Sequence, residues 1–222
     1  MNLRQWLWAN RFTLLLADLV VFIVAAPLAD HPDAGRIILE IQLTSLALIA
    51  IYVTSGNKLW LGVVIAAVAA WLILAWTGHG PLRSRYGFIS PVLLMGVCGI
   101  VFFFVERAVF KAPIVDSNVL CGGIACYLLV AVIWAFSFAM IELLAPDSFS
   151  FGGQADPTWS EVMYFSLTCL STLGFGDILP VNPFARIWAA SEAIVGAIYL
   201  AVLVARLVTL YRSDVRANDK MA

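Results

Sequence analysis

Thr172-Leu173-Gly174-Phe175-Gly176-Asp177 follows a short apolar run, Thr158 to Ser171, and precedes a long one that begins near Phe184. How this stretch is read decides the fold. Thr158 to Leu170 is 13 residues, about 20 Å as a helix and too short to cross a bilayer. It is also too apolar for an ordinary connecting loop. A run of this kind reads as a re-entrant helix. Non-helical backbone after such a helix is tolerated at membrane depth only where it is buried in protein or lines a water-filled path. Thr158 followed by Glu161 predicts a capping box that fixes where the helix starts. Gly174 and Gly176 allow a left-handed backbone, which a side chain at either position would penalise.

The rest of the chain agrees with a membrane setting. Of 222 residues, 63% are hydrophobic and 12% charged, against about 25% charged in a soluble domain. The formal net charge of −1 excludes a basic nucleic-acid surface and says little else, because placement of charge matters more than its sum in a membrane protein. Cys98, Cys121, Cys126 and Cys169 lie in or at the start of apolar segments and read as small hydrophobes in packed helices. His31 and His79 sit singly in connecting loops, with no metal-ligand spacing around them.

Apolar segments predict six spans: Phe12–Leu28, Ile37–Thr54, Leu59–Thr77, Phe88–Phe110, Asn118–Leu144 and Phe184–Tyr211. Each reaches or nears the ~20 residues needed to cross hydrocarbon. The first lacks a small-x-small cleavage pattern and is expected to remain as an anchor. Pro91 falls in the first turn of the fourth span, where it is tolerated. The expected fold class is therefore an all-α membrane protein with a re-entrant helix and loop between the fifth and sixth spans. Residues 1–113 form a peripheral four-helix domain, 114–212 a two-helix domain with the short helix at 158–171, and 213–222 a short tail.

Six spans place both termini on one side. Arg4, Arg11, Lys58, Arg107, Lys111, Arg206, Arg212, Arg216 and Lys220 fall on that side, which is then cytoplasmic. Arg83 and Arg85 run against the rule. Asp147, Asp156 and Glu161 fall outside, beside the mouth of the loop. Trp6, Trp8, Trp60, Trp76, Trp159 and Trp188 lie near span ends as interface anchors, whereas Trp71 and Trp134 are expected between helices.

The loop resembles the selectivity filter of the tetrameric potassium-channel family, whose usual string is T-V-G-Y-G-D; here it reads T-L-G-F-G-D. The resemblance covers about Asn118 to Tyr211. It implies potassium bound by carbonyls of Thr172, Leu173, Gly174 and Phe175, with the Thr172 hydroxyl as the innermost ring, Gly176 completing the filter and Asp177 at its mouth. Moving a bare cation into low dielectric costs tens of kcal/mol, roughly, by the Born estimate, so such oxygens must replace its water. One loop per chain implies three further identical subunits. Tyr164 and Phe165 match the family's aromatic pair, and Ser166 the serine after it. Arg186 matches a basic residue after the filter, and Gly196 a hinge glycine. In that register Ala197, Leu200 and Val204 line a cavity. A close-packing role for Gly196 is equally open.

Three departures bear on the filter. Phe175 lacks the hydroxyl that tethers the filter to its aromatic cuff. Leu173 is bulkier than valine. Thr168 and Cys169 stand where relatives carry bracing residues, including an acid that pairs with the Asp, which leaves Asp177 unbraced. Glu192 lies within the sixth span and faces away from the pore in this register. An acid there is functional by default, and it is expected to support the filter from behind by bonding a pore-helix hydroxyl such as Thr168 or Ser171; a protonated acid satisfied by any nearby carbonyl is equally open.

In this family the first four spans often sense voltage, which needs a basic residue at every third position of the fourth. Here that span carries Arg107 alone, near its inner end. Weak or absent voltage dependence follows, with a static pair between Asp18 and Arg107 as an expectation. Passive potassium conduction by a homotetramer in the plasma membrane, the inner membrane of a bacterium, is the leading reading. A poorly selective cation channel and a non-conducting scaffold or channel-modifying subunit remain open. No cofactor and no enzyme chemistry are expected, because no paired carboxylates or histidine cluster converge.

Overall fold

The computed structural model describes residues 9–31, 34–77, 89–112, 116–152 and 157–219, without the side chains of 36, 75–77, 207 and 209–219. Arg4, Trp6, Trp8, His79, Arg83, Arg85, Asp156 and Lys220, and the side chains of Trp76, Arg212 and Arg216, lie outside the described residues.

The elements are α1 (Arg11–Val24), a 3-10 turn (Ala26–Asp30), α2 (Gly35–Thr54), α3 (Lys58–Thr77), α4 (Ile89–Lys111), α5 (Ser117–Leu144), β1 (Phe149–Phe151), α6 (Trp159–Leu170), β2 (Ile178–Pro180) and α7 (Pro183–Asp219). Among the described residues, four helical stretches are long and apolar enough to cross a membrane: Ile37–Thr54, Ile89–Lys111, Ser117–Leu144 and Pro183–Arg206. α3 carries a shorter apolar stretch, Lys58–Leu74.

The first expected span is interrupted. α1 has 14 residues and stops at Val24. Pro27 has no N–H to give to the carbonyl four residues back, so the chain tightens into the 3-10 turn. There Leu28 N bonds Ala25 O at 3.0 Å and His31 N bonds Leu28 O at 3.3 Å. At the other end of the chain α7 runs on to Asp219, through residues expected to form a tail, because no glycine or proline stops it.

α5 is the centre of the fold. It is apolar all round, as a helix packed on every side must be, and it touches α1, α4, α6 and α7. Two adjacent glycines let these neighbours close in. A Cβ at Gly122 would lie 2.9 Å from Val109 Cγ2 of α4, and one at Gly123 would lie 2.8 Å from Leu203 Cδ1 of α7. The connection from α4 to α5, residues 112–116, is five residues long. Asp116 caps α5 by accepting from Val119 N at 2.7 Å.

α7 meets its own chain along one stripe. Ala185, Ala189, Glu192, Gly196, Tyr199 and Leu203 are all buried and follow one another at spacings of four and three, one face of a 3.6-residue helix. Off this stripe α7 exposes apolar side chains, among them Ile187, Ile194, Ile198, Val202 and Val204.

The segment between α5 and α6 holds β1, which pairs antiparallel with β2 in the register Phe149 to Pro180, Ser150 to Leu179 and Phe151 to Ile178. The alternation Phe-Ser-Phe is its sequence signal, with both rings buried. This two-stranded sheet ties the chain entering α6 to the chain leaving the loop 172–177.

Candidate functional site

α6 begins as its sequence dictates. Thr158 Oγ1 accepts from Glu161 N at 3.3 Å, and Glu161 Oε2 accepts from Thr158 N at 2.8 Å. Its far end runs directly into the loop. Leu173 N donates to Thr168 O at 2.9 Å, and Thr172 N to Cys169 O at 3.0 Å. These two bonds form a Schellman ending, with Thr172 in the left-handed position that follows the cap. Gly174 N adds a third bond, to Thr168 O at 3.2 Å. Thr168 thus supports the loop through its carbonyl. Its hydroxyl donates to Phe165 O at 2.8 Å within its own helix.

Positive φ recurs at every second residue of the loop: 59° at Thr172, 49° at Gly174 and 80° at Gly176. The glycines were placed there by sequence; Thr172 was not. A branched residue in the left-handed region costs roughly 1–2 kcal/mol, and strain held in this way gathers at functional positions. Leu173 and Phe175 between them have no positive φ, so the loop alternates in backbone hand.

The mouth of the loop is braced, contrary to the expectation of an unbraced acid. Tyr164 Oη donates to Asp177 Oδ2 at 2.8 Å, and Ile178 N to Asp177 Oδ1 at 3.1 Å. The hydrogen bond to Asp177, ahead of burial and the carboxylate's charge, raises the Tyr164 pKa and keeps the phenol a donor. Tyr164 also stacks on Phe175, with centroids 6.3 Å apart and planes within 4°. One tyrosine therefore contacts the mouth twice, and its ring reaches the residue that lacks a hydroxyl. Phe165 instead points away from the loop and packs on Phe138 at 5.0 Å and Phe149 at 5.4 Å. Its support is confined to seating α6.

Glu192 is fully buried on the α7 stripe and faces α6. Its partner is Ser166, whose Oγ lies 2.5 Å from Glu192 Oε1 and 2.8 Å from Ala131 O of α5. The expected partners are otherwise engaged: Thr168 as above, and Ser171 Oγ with Leu167 O at 2.7 Å. Both hydroxyls bond back into their own helix, a local competition that spacing alone does not reveal. Ser166 joins α5, α6 and α7 at one point. Glu192 Oε2 is buried without a hydrogen-bond partner.

Gly196 sits where α7 crosses the end of α6. A Cβ there would lie 2.5 Å from Leu170 O, closer than real Cβ atoms approach. The same carbonyl accepts from Tyr127 Oη of α5 at 3.2 Å. Close packing alone therefore requires glycine here. Ala197, Leu200 and Val204 are exposed, off the buried stripe. Further contacts that sequence reasoning did not find surround the site. Trp134 and Trp188 stack at 5.6 Å, and Trp188 Nε1 donates to Ser137 Oγ at 2.7 Å. Arg186 Nε donates to Pro180 O at 3.1 Å. Arg206 Nη2 holds Phe110 O and Ala112 O, each at 3.1 Å, at the end of α4. Asp30 contacts Ser160 in the first turn of α6.

Asp18 turns toward Ser45 of α2 rather than Arg107, and its Oδ2 is buried without a hydrogen-bond partner. Cys98, Cys121, Cys126 and Cys169 are free thiols. Among the described residues no group of three or more His, Cys, Asp and Glu side chains converges as a metal site.

Residues 121–213 match a family model described as an ion channel. Over 86 residues the chain is 29% identical to a protein named two pore potassium channel c, from Oryza sativa subsp. japonica. That alignment covers 35% of this chain and 19% of the relative, so the chain spans about a fifth of the relative's length. No solved structure matches. The family match falls on α5, α6, the loop and α7, and α1 to α4 lie outside it.

Proposed function

We propose that this chain is the subunit of a passive potassium channel, with Thr172 to Gly176 as its selectivity filter and Asp177 at the filter mouth. The observation that carries the proposal is the alternation of positive φ at 172, 174 and 176 directly after a capped helix of 12 residues. Such backbone turns carbonyls rather than side chains toward one axis, and oxygens so arranged can replace the hydration shell of a monovalent cation. The ion-channel match to residues 121–213 and the distant potassium-channel relative point the same way.

A single loop cannot surround an ion. Leu173 is 57% and Phe175 67% exposed in the isolated chain, and α7 exposes apolar residues such as Phe184, Ile187, Ile194 and Ile198. Four copies about an axis would cover these surfaces and close the carbonyl rings. Ala197, Leu200 and Val204 then line the cavity, with potassium at the carbonyls of Thr172, Leu173, Gly174 and Phe175. In this reading six crossings place both termini in the cytoplasm of a plasma membrane, and Arg107 alone gives no steep voltage dependence. Gly196 serves packing and, in a gate that bends, the hinge.

Purified protein in planar bilayers, under opposed potassium and sodium gradients, tests this. A reversal potential near that for potassium is the expected result. Equal permeation of both ions would replace it with a poorly selective cation channel, the reading that the missing Phe175 hydroxyl favours. Absence of any flux would leave a scaffold or channel-modifying subunit.

A further inference from the structure

The capping box at the start of α6 is self-contained but incomplete. It satisfies the N–H groups of Thr158 and Glu161, two of the donors that a helix start leaves open. The N–H of Ser160 lies between them. It donates to Asp30 Oδ1 at 3.3 Å, and the Ser160 hydroxyl donates to Asp30 Oδ2. Asp30 is 130 residues away in sequence, at the end of the 3-10 turn that Pro27 imposes. A carboxylate at this place also meets the positive end of the α6 dipole.

Two further observations fix that contact in place. The turn carrying Asp30 is pressed against α2, where a Cβ on Gly35 would lie 2.1 Å from Ala29 O. Beside it, the Trp159 ring lies between Phe22 of α1, at 6.0 Å, and Phe136 of α5, at 4.9 Å. The peripheral helices therefore hold the first turn of α6 by a carboxylate and an aromatic contact together. From that turn, 12 residues of helix, about 18 Å, lead to the carbonyls of Thr168 and Cys169. Those carbonyls accept the N–H groups of Thr172, Leu173 and Gly174. α6 is a short rod with Asp30 at one end and the loop at the other.

We propose that Asp30 is a positioning residue for the loop 172–177, through which the peripheral helices set filter geometry by way of the start of α6. The inference deepens the channel reading above and rests on it where it speaks of selectivity. It gives the peripheral helices a role that needs no charge on α4.

The test uses the full chain reconstituted in liposomes, with two readouts on Asp30→Ala, Asp30→Asn and Ser160→Ala. Amide hydrogen exchange reports on α6 and on 172–174, and the reversal potential reports the potassium-to-sodium permeability ratio. In Asp30→Ala, exchange rises about ten-fold or more at the first turn of α6 and at 172–174 together, and the permeability ratio falls several-fold at unchanged yield of assembled protein. Asp30→Asn keeps an acceptor oxygen and retains most of both; Ser160→Ala keeps the N–H contact and falls between. Faster exchange confined to the start of α6, with 172–174 and the permeability ratio unchanged, would overturn the proposal and leave Asp30 as a cap only. Should Asp30→Ala not assemble, Ser160→Ala decides: protection lost at 172–174 sustains the proposal, and protection kept there defeats it. A wild-type protein that passes no potassium removes the filter reading, while exchange at 172–174 still judges the positioning.

Discussion

The two parts of the molecule hold themselves together in different ways. From α5 to α7, polar side chains reach between elements. Ser166 joins three helices, Tyr127 bonds the last carbonyl of α6, and Tyr164 holds Asp177. Trp188 bonds Ser137, and Asn182 Nδ2 bonds Ser148 Oγ at 2.6 Å. In α2 the hydroxyls fold back on their own helix: Thr44 to Glu40 O at 2.6 Å, Ser45 to Gln42 O at 2.8 Å, Thr54 to Ala50 O at 2.8 Å. Contact among the peripheral helices is mainly apolar. Apolar packing tolerates sliding because it is non-directional, whereas hydrogen bonds across elements fix distance and angle. Directional contacts between elements gather around the segment proposed to coordinate an ion.

Substitutions can break or sharpen this contrast. The largest expected effect is at Gly176, where φ is 80°. Gly176→Ala forces a side chain into a conformation that L residues avoid, and potassium flux into liposomes should be lost. Next is Glu192→Ala, which empties a buried site and deprives Ser166 of a partner, at a cost of about 2–4 kcal/mol. Glu192→Gln should retain most stability in chemical unfolding. A double-mutant cycle with Ser166→Ala should show coupling of at least about 0.5 kcal/mol; strictly additive losses would refute the contact.

Gly196→Ala should cost about 1–3 kcal/mol by overpacking against Leu170, and lower the thermal midpoint. Gly62→Ala in α3 meets nothing within 4 Å and should raise stability by up to about 1 kcal/mol. If the two changed stability alike, the contrast between the regions would fail. Tyr164→Phe keeps the stack on Phe175 and removes the bond to Asp177. Faster current decay at unchanged thermal midpoint is expected, since the group is at the exposed mouth. Smallest is Thr44→Ala, within about 0.5 kcal/mol and without effect on permeation.

What the sequence made legible was what repeats locally. Apolar runs located the helices, Thr158 and Glu161 located the start of α6, and two glycines located left-handed turns. What stayed hidden depends on residues distant in the chain or on competition between partners. Asp30 and Ser160 carry no shared pattern. Ser166 was chosen over Thr168 and Ser171 by which hydroxyls faced α7 and which bonded back. Thr172 adopts positive φ because the end of α6 needs a residue there, whatever its propensity. Tyr164 reaches Asp177 only once α6 has folded back beside the loop. α1 broke early because one proline outweighed an apolar run of adequate length.

The connection between α4 and α5 has its own consequence for assembly. Five residues span at most about 17 Å even when extended, and Arg206 of α7 holds their first carbonyl against the end of α4. In the proposed ring of four, a connection this short favours a peripheral bundle seated on its own subunit's α5 to α7, as it is in this chain. In a ring of four, each quarter would be a closed unit carrying its own bundle. Damage to one bundle would then be inherited by one quarter of the filter, so channels mixed from intact and Asp30-substituted subunits should weaken in graded steps rather than all at once.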